Sequence, residues 1–140
     1  MLEWTGNKQI PNIDAISFGG LGRFNQESAY KLDWLLDQAK ANDIYLQLTL
    51  LTYHSFVNWY GENPYKPLLG YDPRGLWTDP EALTAFRNYV RYIGARYGAH
   101  TNAAIFEFWN ELDQGSISLY NQGDSYAMPR LAAWHQQMIT

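Results

Sequence analysis

Two β-rich apolar runs, residues 44–52 (IYLQLTLLT) and 103–110 (AAIFEFWN), are separated by a long stretch that carries its own helical stripe. Neither run contains Gly or Pro, and each has the length and composition of a buried strand. Ala82, Phe86, Tyr89, Val90, Ile93 and Tyr97 recur between them at helical spacing. A strand, a helix and a second strand in that order form a crossover unit, which pairs its strands in parallel. An α/β fold is therefore expected. Two parallel strands alone would leave bare edges, so the unit reads as part of a larger barrel or sheet.

The other elements follow in order. Residues 1–24 carry scattered Gly, Pro and Asn and read as a loop. Their Gly19-Gly20-Leu21-Gly22 turn is a weak candidate for a phosphate cradle, since no strand precedes it, and the plain loop reading is preferred. Asn25 is a good N-cap. Ala29, Leu32, Leu35, Leu36 and Ala39 predict a helix over Gln26 to Ala41, with Trp34 and Asp37 outside and Asn42 as a left-handed C-cap. Residues 57–79 form a long connection holding Trp59, Tyr60, Tyr65, Tyr71 and Trp77, too aromatic for a solvated linker. It reads as the folded wall of a cleft. Thr78 to Glu81 fits a capping box with Thr78 as cap and Pro80 in the first turn, and Gly98 ends that helix. A last helix starts near Pro129.

Composition narrows the function. The 140 residues suffice for one domain and one core, and residues 1–140 are read as a single domain that is part of a larger fold. A net charge of -4 without a basic run argues against nucleic acid as a partner. The absence of cysteine removes disulfides and thiolate chemistry, and the histidines lack HExxH-type spacing, so no metal and no cofactor is expected. No apolar run is long enough to span a membrane, and Met1 to Gly6 lack signal-peptide features, so localisation is not encoded here. No Gly-x-Ser-x-Gly elbow occurs. The 6 Trp, 11 Tyr and 6 Phe exceed what a minimal core needs and suit either a sugar cleft or a large core.

The second run ends Phe106-Glu107-Phe108-Trp109-Asn110-Glu111. Catalytic groups of α/β enzymes sit at the carboxyl ends of parallel strands. Alternation puts Ile105, Glu107, Trp109 and Glu111 on one face and Phe106, Phe108 and Asn110 on the other. Asp113 follows two residues later, and Tyr53-His54 closes the earlier run in the same way.

This motif resembles the fourth-strand signature of clan A glycoside hydrolases, closest to family 5-like members of the cellulase and mannanase superfamily. "LDWLLDQAKANDIYLQLTL" and "TDPEALTAFRNYVRYIGARYG" are similar to that fold's second helix with third strand and to its third helix. The resemblance implies a fragment of a (β/α)8 TIM barrel, about strands 3–4 with helices 2–4, from a retaining enzyme acting on β-O-glycosidic bonds. It implies Glu111 as general acid/base and Asn110 as a donor to the sugar. His54 is implied as a substrate contact, with Trp4, Trp59 and Asp113 further substrate-binding candidates. Trp77 and Trp109 could also serve as sugar platforms, although core packing suits Trp109 equally. The partner is then an oligo- or polysaccharide. Retention needs two carboxyl groups ~5–5.5 Å apart, and the family's nucleophile comes from the seventh strand, which these residues do not include. The isolated piece is therefore expected to be inactive. The family also pairs the carboxylate at Glu107 with an Arg of the second strand, so Glu107 is expected to lack a cationic partner. Two competing readings remain. One is a non-catalytic carbohydrate-binding or interaction module from a degenerate barrel. The other is a small α/β protein that pairs its strand edges in a homo-oligomer.

Overall fold

The structure is a computed structural model that describes residues 21–56, 63–112 and 127–139. The first helix, α1 (Gln26–Ala41), has the expected bounds. The Asn25 side chain accepts from the Ser28 N–H at 3.0 Å, satisfying one orphan donor of the first turn. Ala29, Leu36 and Ala39 are buried, and Trp34 and Asp37 face out as expected. Leu35 differs from expectation: it is half exposed, because Ala29, Leu32, Leu36 and Ala39 already complete the inward stripe. The helix exit also differs. Asn42 has φ −113°, and the left-handed residue is Asp43 at φ 55°. The Ile44 N–H reaches the Ala39 carbonyl at 2.8 Å and the Asp43 N–H reaches that of Lys40 at 3.3 Å. This is a Schellman closure with Asp in place of Gly. Ile44 and Tyr45 belong to this exit and stay exposed, so strand β1 (Leu46–Thr52) starts later than the apolar run suggests.

After β1 come a short helix α2 (Tyr53–Phe56), then α3 (Lys66–Leu69) and a 3-10 helix (Pro73–Trp77). The long helix α4 (Pro80–Tyr97), strand β2 (Ala103–Asn110) and helix α5 (Ala127–Ile139) complete the order. The N-cap of α4 is Asp79 rather than Thr78: Asp79 Oδ1 accepts from both the Glu81 and Ala82 N–H groups at 2.9 Å. Pro80 at the first helical position explains this, since the cap residue directly precedes it.

β1 and β2 pair in parallel, with Thr49 beside Glu107, Leu51 beside Trp109 and Thr52 beside Asn110. The protein is thus an α/β fold built on a two-stranded parallel sheet among the described residues. Leu48 and Leu50 of β1 and Phe108 of β2 turn toward α1, α4 and α5 and join the main core with Phe86, Tyr89 and Ile93. Phe86 lies edge-on to Phe108 at 5.7 Å and against Trp134 at 4.9 Å.

Side-chain hydrogen bonds tie α1 to the chain around α4. Tyr97 Oη donates to the Ala29 carbonyl at 3.2 Å, and Asn102 Nδ2 donates to that of Leu36 at 2.8 Å. Arg96 grips Asp33 through Nε at 3.1 Å and Nη2 at 2.6 Å. The opposite face of the sheet is open at its amino end, where Gln47, Thr49 and Ile105 are exposed. It is closed at its carboxyl end, where Phe56 and Trp77 cover Leu51 and Trp109.

Candidate functional site at the carboxyl end of the sheet

Because Thr52 stands level with Asn110, both strands release the chain at the same height. His54 follows β1 by two residues and Glu111 follows β2 by one, so both leave the sheet at one end. Parallel neighbours are ~4.8 Å apart at that height. His54 lies in α2 and is exposed, with its ring 5.0 Å from that of Tyr53. Asn110 and Glu111 are also exposed.

Glu111 adopts φ 56°. A left-handed glutamate is uncommon, and such backbone costs roughly 1–2 kcal/mol for a residue with a Cβ. It turns the chain sharply where β2 ends, so the carboxylate is presented at the strand terminus instead of continuing the pleat. Strain of this kind concentrates at functional positions. Leu112 packs against the core directly afterwards and anchors the turn.

Glu107, four residues earlier on the open face, accepts a hydrogen bond from Thr49 Oγ1 at 2.5 Å. That bond, with further ones from the Gln47 and Asn110 side chains, holds its carboxyl below the ordinary glutamate range despite partial burial. Its partners are neutral donors from the neighbouring strand and from Asn110. It forms no ion pair with an arginine among the described residues. Asn110 is therefore anchored between the strand interior and the Glu111 turn.

Trp109 belongs to the core. It is 4% exposed, with Phe56 at 4.6 Å, Trp77 stacked at 5.2 Å and Trp134 edge-on at 6.4 Å. The reading of Trp109 and Trp77 as sugar platforms is corrected accordingly, since both rings are spent on packing. Two-residue alternation placed Trp109 on the face of Glu107 but carried no information on what closes that face higher up. Trp4, Trp59 and Asp113 lie outside the described residues.

The described part of the connection before α4, residues 63–79, is folded, as its aromatic content suggested, and residues 57–62 lie outside the described residues. Tyr65, Leu76 and Trp77 are buried. Asn63 is buried too, donating to the Ser55 carbonyl at 2.7 Å and accepting from the Tyr65 N–H at 2.9 Å. One asparagine thus pins this segment to the end of β1. On its outer side opens a cleft of about 590 Å³, bounded by α3, the 3-10 helix, the start of α4 and Arg130 of α5. Sequence reasoning missed its polar residues, Asp72, Arg74, Thr78 and Arg130. The repeated Asp-Pro pairs, Asp72-Pro73 and Asp79-Pro80, were the available signal: each starts a helix and each aspartate caps it.

No family model matches the chain, and no curated protein or solved structure matches it either.

Proposed function

We propose that this chain carries the acid/base half of a retaining glycoside hydrolase site, within a (β/α)8 barrel of which β1 and β2 are adjacent strands. Glu111 is the proton donor and later the base. Asn110 donates to the sugar next to the reacting carbon, and His54, Trp4, Trp59 and Asp113 supply further substrate contacts. The attacking carboxylate belongs to a later strand of the same barrel. The single observation that carries this reading is the left-handed Glu111 at the carboxyl end of a parallel strand whose neighbour ends level with it. The open amino half of the sheet face supports it as well. Parallel sheets are covered on both faces in folded proteins, and Gln47, Thr49 and Glu107 are polar groups suited to a barrel interior.

In such a site the acid protonates the leaving oxygen while the second carboxylate attacks, and the acid then activates water. The test is hydrolysis of an unactivated β-linked oligosaccharide by the full-length protein and its Glu111→Gln variant. Loss of a general acid/base lowers turnover by roughly 10²–10⁴-fold. Near-parental turnover by Glu111→Gln refutes the assignment.

A further inference from the structure

Glu107 has no task in the proposed chemistry, although it is ionised and tied into the sheet. Thr49 stands beside it and Thr52 beside Asn110, so Asn110 lies three residues nearer the carboxyl end. Thr49 Oγ1 donates to Glu107 Oε2 at 2.5 Å and fixes the carboxylate against the neighbouring strand. The Gln47 and Asn110 side chains are its further hydrogen-bond partners. Among the described residues no arginine or lysine pairs with it, so its charge acts on these neutral groups. Glu107 is half-buried, while Asn110 stands exposed at the rim beside the left-handed Glu111.

The chemistry of the acceptor decides how the Asn110 amide sits. A carboxylate without its proton can only accept, so the bond between the two must come from the amide Nδ2. The two ends of an asparagine amide are nearly equal in shape, and a partner that both donates and accepts tolerates either. An anionic partner does not. It draws Nδ2 toward itself and turns Oδ1 away, and a bond to a charged acceptor is roughly twice as strong as a neutral one. Nδ2 carries two hydrogens, and Glu107 takes one of them. We propose that Glu107 is a positioning residue: anchored by Thr49, it sets the Asn110 amide so that the second N–H of Nδ2 is offered to a ligand at the carboxyl end of the sheet. This role rests on Asn110 and Glu111 acting on a sugar as proposed, and it gives Glu107 and Thr49 a part in the same site.

The experiment has two arms. The first follows the Asn110 side-chain amide by nuclear magnetic resonance in the absence of substrate. Both Nδ2 protons should move as Glu107 titrates, with a midpoint below the ordinary glutamate range. Glu107→Gln should abolish that movement. Glu111 is the neighbouring carboxylate, and Glu111→Gln should leave the movement in place. The second arm is turnover of an unactivated β-linked oligosaccharide by the full-length protein. Glu107→Gln should lower kcat by about three- to tenfold, the worth of one misdirected hydrogen bond, with little change in KM. In an Asn110→Ala background the same substitution should change kcat less than about twofold, because the amide it orients is gone. Should Glu107→Gln fail to fold, Thr49→Val takes its place in the cycle and Thr49→Ser, which keeps the hydroxyl, should restore the parental rate. The proposal is overturned if the Asn110 amide still titrates in Glu107→Gln, or if the losses from Glu107→Gln and Asn110→Ala simply add, as they would for a merely structural carboxylate. Parental turnover by Glu111→Gln sinks the acid/base reading instead, and the amide arm, which needs no turnover, tells the two failures apart.

Discussion

Replacing Glu111 by glycine should make the protein more stable while abolishing the proposed chemistry. The backbone at this position has φ 56°, where a Cβ costs roughly 1–2 kcal/mol and glycine costs nothing. Glycine also loosens the unfolded chain, which takes back about 0.4–1 kcal/mol. Among the described residues the exposed side chain forms no ion pair that would be lost. The net expectation is a gain of about 0.5–1 kcal/mol for Glu111→Gly. Glu111→Gln keeps the Cβ and the strain, so its stability should equal that of the parent. The assay is urea unfolding of the three proteins by tryptophan fluorescence. With a slope of ~1–2 kcal/mol per M, the glycine variant should unfold about 0.5 M later than the glutamine variant. If glycine instead unfolds earlier than glutamine, the backbone there is not strained. The observation that carries the functional reading would then be lost.

Two further perturbations probe the frame around the site. Asn63→Ala removes the partners of two buried backbone groups, the Ser55 carbonyl and the Tyr65 N–H. At about 1–3 kcal/mol for each group left unsatisfied, it should destabilise by roughly 2–5 kcal/mol. A loss under about 0.5 kcal/mol in urea unfolding would mean that these groups find other partners. The Glu107 carboxyl is held down chiefly by Thr49, so its contribution is present above the ordinary glutamate value of 4.5 and lost as pH falls through the lower folded value. Thr49→Val should therefore flatten the decline of the urea midpoint between pH 5 and pH 3 relative to the parent, and superimposable profiles would show that the bond carries no pH dependence.

Local rules recovered the elements better than their surroundings. The bounds of α1 were legible because Asn25 offers a cap and Ala29, Leu32, Leu36 and Ala39 repeat on one face, while its left-handed exit fell on Asp43 instead of Asn42. The parallel pairing followed from the helix lying between two apolar runs. The Asp79 cap was misplaced to Thr78 because both side chains can cap. Only the fixed φ of Pro80 decides between them, and it does so in favour of its immediate neighbour. The burial of Trp109 depends on Phe56 and Trp77, residues far away in sequence, so no window around β2 could reveal it. The left-handed Glu111 was equally hidden, since glutamate carries no local signal for that conformation and tertiary packing imposes it. The mixed-charge cleft escaped because Arg130 joins residues 68–80 from fifty residues away, and nothing local to either stretch signals that meeting.

The parallel partnership of β1 and β2 has a consequence during synthesis. Thr52 cannot meet Asn110 until the whole intervening chain has left the ribosome. At ~5–20 residues per second that delay lasts roughly 3–12 seconds. Through that interval Leu48 and Leu50 lack their β2 partner, and α1 is the element described ahead of them that can cover them. Nascent copies on one message would offer each other the same sticky ribbon, so the yield of soluble protein should respond to slower translation or to a holdase chaperone before it responds to any change at the mature surface.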